Sequence, residues 1–204
     1  MPRRQLGLAA LIIGLTGCAS LQPLGGSLPE AAGQTQASPK PLFPLAPPVG
    51  PARRIVQQLT AHWPQSSKTL LCVLELDSRH IAMAGLTEDG LSLFNLSYDG
   101  KNLEADKNPL VPETLVPELI IADLQLVYWP VDSLQKQLPK DLKLESGPYF
   151  RRLSKQGQSL AEVRYFNPED LKQENAWPKA AELVNQQYDY RLTIQTVSYE
   201  VVSE

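Results

Sequence analysis

TLLCVLELDSRHIAMAGLTEDGLSLFNLSYDGKNLEA, Thr69 to Ala105, is the stretch whose reading decides the fold. It divides into four runs, TLLCVLEL, RHIAMAGLT, LSLFNLSY and KNLEA, separated by Asp77-Ser78, Glu88-Asp89-Gly90 and Asp99-Gly100. Short apolar runs bounded by turn residues read as the strands of a β-meander, and Asp-Gly is a preferred two-residue hairpin turn. Residues of like parity share one face of a strand. Leu70, Cys72, Leu74 and Leu76 therefore point one way and Leu71 and Val73 the other, while Phe94, Leu96 and Tyr98 oppose Leu91 and Leu93. An antiparallel sheet with one face in water alternates cleanly. This one is apolar on both faces, which predicts a sheet covered on both sides or curved around a cavity.

Downstream the pattern changes period. In VPELIIADLQLVYWPVDSLQKQL, Val116 to Leu138, the residues Ile120, Ile121, Leu124, Val127 and Tyr128 recur at helical spacing, with Glu118, Asp123 and Gln125 beside them. Pro117 suits a first helical turn. Trp129-Pro130 breaks the segment, and Pro130 can start a second helix carrying Val131, Leu134 and Leu138. The whole is too short and too interrupted to span a bilayer, which needs about 20 uninterrupted apolar residues. It reads as two short helices at an angle, lying across the sheet. Further on, Ala161, Val163 and Tyr165 alternate with Glu162 and Arg164, and Tyr188, Tyr190, Leu192 and Ile194 alternate with Asp189, Arg191, Thr193 and Gln195. Those strands have one wet face. Upstream, RRIVQQLTAHW places Ile55, Val56 and Leu59 on one helical face before Trp63-Pro64, which predicts a helix opening the domain. All three tryptophans, Trp63, Trp129 and Trp177, precede a proline, so each ring is presented at an element boundary.

The N-terminus gives an address. MPRRQLGLAALIIGLTGCAS has Arg3 and Arg4, an apolar run from Leu6 to Leu15 and then small residues, the layout of a secretory signal peptide. Leu15-Thr16-Gly17-Cys18 resembles the bacterial lipobox. The resemblance implies cleavage after Gly17 and acylation of Cys18 on both its thiol and its amine, and more than one acyl chain is what stable anchoring requires. The sorting rule for enterobacterial lipoproteins implies the outer membrane, since Ala19 is not Asp. Residues 20–51 are dense in Pro, Gly, Ser and Ala and almost free of charge, a composition that cannot bury enough apolar surface to offset its ordering entropy. They read as a tether, reaching roughly 30 Å as a coil and up to ~90 Å as extended polyproline. Leu42-Phe43-Pro44-Leu45 within it reads as a hydrophobic slip in a linker, with docking on the domain as the alternative. The expected organisation is thus a signal peptide (1–17), a lipid-anchored tether (18–51) and one folded domain (52–204), and 204 minus 51 leaves 153 residues, enough for a sizeable core.

Composition restricts the function. The formal charge of -3 becomes -5 once the two signal-peptide arginines are removed, and an acidic protein gains nothing from counterion release at phosphates, so nucleic acid is not an expected partner. With Cys18 acylated, Cys72 is left without an intramolecular partner, and a lone Cys within an apolar strand reads as a small buried hydrophobe. The chain has two histidines, His62 and His80, and no G-x-S-x-G elbow. Asp77-Ser78-Arg79-His80 occupies a tight turn whose side chains diverge, and Glu75 and Asp77, roughly 7 Å apart by the strand rise, read as a solvated pair. Neither a catalytic centre nor a metal site is expected, and no cofactor beyond the lipid on Cys18.

The order of lipobox, Pro-rich tether, meander, helical insertion ending in Trp-Pro and closing strands resembles the LolA/LolB superfamily of lipoprotein carriers and receptors. Ala122-Asp123-Leu124-Gln125-Leu126-Val127-Tyr128-Trp129-Pro130 is similar to a motif in a family of uncharacterised outer-membrane lipoproteins often encoded with aryl-polyene pigment genes. The resemblance spans about Arg54 to Val202. It implies an α+β, mainly β fold, a strongly curved antiparallel sheet forming an incomplete β-barrel with a helical lid, whose hollow takes acyl chains. The residues expected to line it are Leu74, Phe94, Leu96 and Tyr98 on the sheet and Ile120, Leu124, Val127, Tyr128 and Trp129 on the lid. A hydrophobic cargo-inserting loop like that of the lipoprotein receptor has no match in the chain. Expected partners are the membrane through the anchor, a lipidic ligand or lipoprotein cargo, and envelope transport machinery, with the protein a periplasm-facing monomer. The other reading is a non-catalytic scaffold lipoprotein with a filled core.

Overall fold

The computed structural model describes residues 39–111, 115–167 and 177–202, all within one compact unit that begins at Ala37. The lipidation position Cys18 and the proposed signal peptide lie outside the described residues.

The fold is mainly β: one ten-stranded, fully antiparallel sheet that is not closed, with two helices. The strands are β1 (Arg53–Trp63), β2 (Ser66–Leu76), β3 (Ile81–Leu86), β4 (Ser92–Tyr98), β5 (Leu103–Lys107), β6 (Leu142–Gly147), β7 (Phe150–Lys155), β8 (Gln158–Tyr165), β9 (Ala180–Asn185) and β10 (Tyr190–Val201). Their spatial order is β5-β4-β3-β2-β1-β10-β9-β8-β7-β6, two five-stranded meanders joined where the first strand pairs the last. Consecutive strands β5 and β6 therefore occupy opposite edges. The chain between them must cross the sheet, and it does so as α1 (Pro117–Tyr128) and α2 (Val131–Gln135), which touch β5, β9 and β6.

The expected meander and helix pair are present, with three corrections. First, RRIVQQLTAHW is not a helix but strand β1, joined to β2 through Pro64-Gln65. Its inward residues are Arg53, Ile55, Gln57, Leu59 and Ala61. The period of two is disguised by Gln57, which is 2% exposed and whose Nε2 donates to Tyr128 Oη (2.6 Å) and Thr196 Oγ1 (3.2 Å). Second, Asp99-Gly100 is not a two-residue turn. Tyr98 pairs with Leu103 across a four-residue loop in which the Asp99 carboxylate accepts hydrogen bonds from the backbone N–H groups of Lys101 and Asn102, which hold its pKa down at about 2. Third, the folded unit starts before Ala52: residues 39–51 of the expected tether run over the helices as a strap, with Phe43 and Ala46 buried.

One register unites the core. Ile55, Leu74, Met83 and Leu96 are cross-strand neighbours, as are Ile194 and Ala181, and Ala161 and Leu153, so a single apolar face extends across the sheet. Gly85 is part of it because Phe94 lies on it: a Cβ there would sit 2.3 Å from the ring. In β10 the residue Val197 is skipped opposite the Val56/Gln57 step and stands 66% exposed, so the inward set shifts from Thr196 to Tyr199. The opposite face was expected to be covered or to curve round a cavity. Leu71, Val73, Ala84 and Leu86 there are half-buried, shielded by one another, while the β7–β10 part of that face carries Arg152, Glu162 and Arg164, which pair at 3.0 and 2.9 Å.

Candidate functional site

α1 shows why the stretch before Trp129-Pro130 is apolar on more than one side. It is sandwiched between the inner face of the sheet and the strap, so both of its sides must be apolar. Leu119, Ile121, Ala122, Leu124, Leu126 and Val127 are all buried. Its start has Pro117 and Glu118 in the first turn, and its end is fixed by Trp129, whose extended backbone (ψ 150) obeys the restriction that Pro130 imposes. The Trp129 ring is 1% exposed and its Nε1 donates to Pro47 O of the strap (2.9 Å).

All nine ligand-lining candidates belong to one packed cluster. Leu74, Phe94, Leu96, Tyr98, Leu124, Val127 and Trp129 are 0–6% exposed, and Ile120 and Tyr128 are partly buried against them. The structure therefore brings the sheet set and the helix set together, with each filling the space facing the other.

Sequence reasoning missed the polar part. Asp123 and Gln125 lie beside the apolar stripe in the helical pattern, which assigns them no partner. Instead Gln125 is fully buried and joins α1 to the strap twice: Ala46 N donates to its Oε1 (2.8 Å) and its Nε2 donates to Ala46 O (2.7 Å). Tyr98 Oη donates to Leu45 O (3.4 Å), and Tyr188 binds both backbone groups of Lys40. On the other side Tyr190 donates its hydroxyl hydrogen to Asp123, and Asn185 Nδ2 donates to Tyr190 Oη (3.0 Å). Burial pushes the Asp123 carboxyl up to about 7 although the tyrosine and asparagine bonds oppose the rise. The last carbonyls of α1, which the helix itself cannot satisfy, accept from Arg151 Nη1 (at Leu126 O, 2.9 Å) and Tyr165 Oη (at Val127 O, 2.6 Å). An arginine there also meets the negative end of the helix dipole. Polar residues at inward strand positions, Gln57, Arg151 and Asn185, were the signal available in the sequence.

A third group sits where α1 ends. Tyr128 stacks on Trp177 (3.8 Å between centroids, 13° apart), Tyr199 lies 6.1 Å beyond, and the Arg53 guanidinium lies over Trp177 at 5.3 Å. Of the three Trp-Pro rings, Trp129 and Trp177 are buried and Trp63 is 40% exposed at the β1–β2 turn. Cys72 is fully buried, which pushes its thiol up to about 12 and makes it inert packing. Among the described residues no three His, Cys, Asp or Glu side chains gather as metal ligands. Asp77 accepts from the backbone N–H of Arg79 and His80, a local turn contact, and His80 Nε2 shares a hydrogen bond with Ser97.

Sheet, helix pair and strap define a class: a mainly β domain whose unclosed antiparallel sheet is covered on one face by a helix pair crossing between its two edges. Residues 54–198 match the family described as "Protein of unknown function (DUF3261)", and the chain belongs to that family. No curated protein matches it. Solved structures similar to it include a LolA superfamily protein from Nitrosomonas europaea, at 8% identity and TM-score 0.46 over 76% of this chain and 87% of that one. Another is an outer membrane lipoprotein-sorting protein domain from Vibrio parahaemolyticus, at 11% identity and TM-score 0.42 over 74% and 85%. At this similarity neither bears on ligand or mechanism here.

Proposed function

We propose that this protein is a lipid-anchored envelope lipoprotein of the outer membrane, facing the periplasm, that holds an acyl chain or other lipidic cargo between the inner face of its sheet and α1. The observation that supports the reading most is the construction of the covering layer. α1 is apolar on both sides, yet few side-chain hydrogen bonds join it to the strap, those of Gln125 and Trp129. To uncover the continuous apolar wall beneath it, α1 must release the bonds that Gln57, Arg151, Tyr165 and Tyr190 make to it from the sheet, and cargo entry is the event that would exchange them. Burial of a chain there at roughly 25 cal/mol per Å² needs no catalytic group. The cargo would be a lipid, a lipoprotein's acyl chains or a polyene-lipid, taken up for transfer to the outer membrane in contact with envelope transport machinery, and the protein would act as a monomer without catalysing a reaction.

A second reading, a scaffold lipoprotein within an envelope complex, is favoured by one observation: the nine candidate residues already fill each other's space. Native mass spectrometry of the unit from Ala37 onward, exported without an anchor to the periplasm of its own host, separates the two. A reproducible added mass that organic solvent releases as a lipid supports the carrier and identifies its cargo. A clean apo mass, with no uptake of a fluorescent fatty acid, leaves the scaffold.

A further inference from the structure

At the end of α1 two buried donors lack an acceptor. Trp177 is 7% exposed and its Nε1–H meets no acceptor in hydrogen-bonding geometry, although the Tyr128 hydroxyl is beside it. The Nε of Arg53 is also buried and unpartnered, while the rest of that guanidinium is engaged by Val49 O, which accepts from Nη2 at 2.9 Å, and by the Tyr199 hydroxyl. Buried donors are almost always satisfied, so two in one cluster call for an explanation. Both belong to side chains in mutual contact, the guanidinium lying over the indole.

The charge points the same way. Arg54, next in sequence, is paired with Glu75 at 2.7 Å on the outer face, whereas Arg53 points inward. The groups that act on Arg53 are aromatic or backbone: Trp177, Tyr199 and Val49 O, with no carboxylate among the described residues. Burial lowers its pKa from the ordinary arginine value, and the Tyr199 hydroxyl opposes the fall. Gly50, at φ +96, makes the position possible: a Cβ there would sit 2.4 Å from Arg53 Nη2. The chain thus places a cation with spare donors on a buried aromatic surface, at the rim of the apolar face.

We propose that Arg53 and Trp177 bind the acidic headgroup, carboxylate or phosphate, of an amphiphile whose tail lies along the inner face of the sheet. The proposal rests on the carrier reading and adds the class of headgroup. The headgroup accepts from Arg53 Nε and Trp177 Nε1, and Tyr128 and Tyr199 flank it. Uncharged lipids of the same length lack that anchor.

The test is titration calorimetry on the full chain at pH 8 with dodecanoate, dodecyl phosphate and dodecanol. Charge-assisted hydrogen bonds predict that at least one of the two acids binds about tenfold or more tightly than the alcohol. The tighter of the two acids identifies the headgroup. Arg53→Gln brings the acids to within about twofold of dodecanol and leaves dodecanol itself unchanged. Trp177→Phe, which keeps the stacking, weakens the acids about threefold, and a thermal melt confirms that each variant is folded. Dodecanol binding as tightly as both acids, the result expected if ordered water satisfies the two donors, overturns the headgroup site alone. An acid preference that survives Arg53→Gln does the same. If none of the three ligands binds, the carrier reading falls and this inference with it.

Discussion

The two meanders hold the same helix by different means. Strands β1–β5 meet α1 mainly with apolar shape, through Leu74, Phe94, Leu96 and Met83, and with one side-chain hydrogen bond among the described residues, from Gln57 to Tyr128. Strands β6–β10 meet it with hydrogen bonds, from Arg151 and Tyr165 to its last carbonyls and from Tyr190 to Asp123. Shape tolerates a change that preserves volume, and a hydrogen-bonded contact tolerates one that preserves donors and acceptors. A helix held both ways has its position set along its axis by one half and pressed home by the other.

The largest effect is expected where shape alone holds. Leu74→Ala, at a position with no exposure, should cost about 2–5 kcal/mol in denaturant unfolding, and Leu74→Met below about 1.5 kcal/mol. If both cost the same, the first meander does not work by packing. Gly85→Ala comes next, at about 1–3 kcal/mol by overpacking against Phe94, and Phe94→Leu in the same chain should recover most of it. On the other side the near-isosteric Tyr165→Phe should cost about 1–3 kcal/mol, because Val127 O loses its donor. A neutral result there would erase the contrast between the halves.

Asp123 supplies a smaller, pH-dependent effect. Its folded carboxyl, at about 7, lies above the ordinary value of about 3.9, so the folded state binds the proton more tightly than the unfolded one. That stabilising contribution is complete below pH of about 4 and is lost as pH rises to about 7. Asp123→Asn should flatten this part of the stability–pH curve, read from melts at intervals of one pH unit. The smallest effect is on Cys72: a maleimide should label it only at the rate of unfolding, and fast labelling of the folded protein would show that the inner face opens locally.

The same contrast explains what was legible in the sequence. Parity in TLLCVLEL and LSLFNLSY divided the first meander into two apolar sets, and the resemblance rather than the pattern singled out Leu74, Phe94, Leu96 and Tyr98 as the inward one. The helix break at Trp129-Pro130 was equally plain. β1 was misread because Ile55, Val56 and Leu59 also fit a helical face, while Gln57 at an inward position conceals the alternation. Strands β6, β7 and β9 gave no signal for a similar reason: Arg151 and Asn185 face inward, and their partners are α1 carbonyl and Tyr190 hydroxyl groups that no local pattern encodes. Nor could composition show that residues 39–51 dock. Their attachment depends on Gln125, distant in sequence, and on backbone groups, which every residue has.

The pairing of β1 with β10 sets the order of events during folding. The first strand synthesised finds its second neighbour only when the last has emerged, so the central seam of the sheet is its longest-range contact, the kind that slows folding. Until then the 11-residue strand β1 has one bare edge, as does β9, and bare edges recruit other chains. A chain stalled between Asn185 and Tyr190 would expose both edges at once. Aggregation should therefore fall sharply at a single point in the chain, the arrival of the 12 residues of β10.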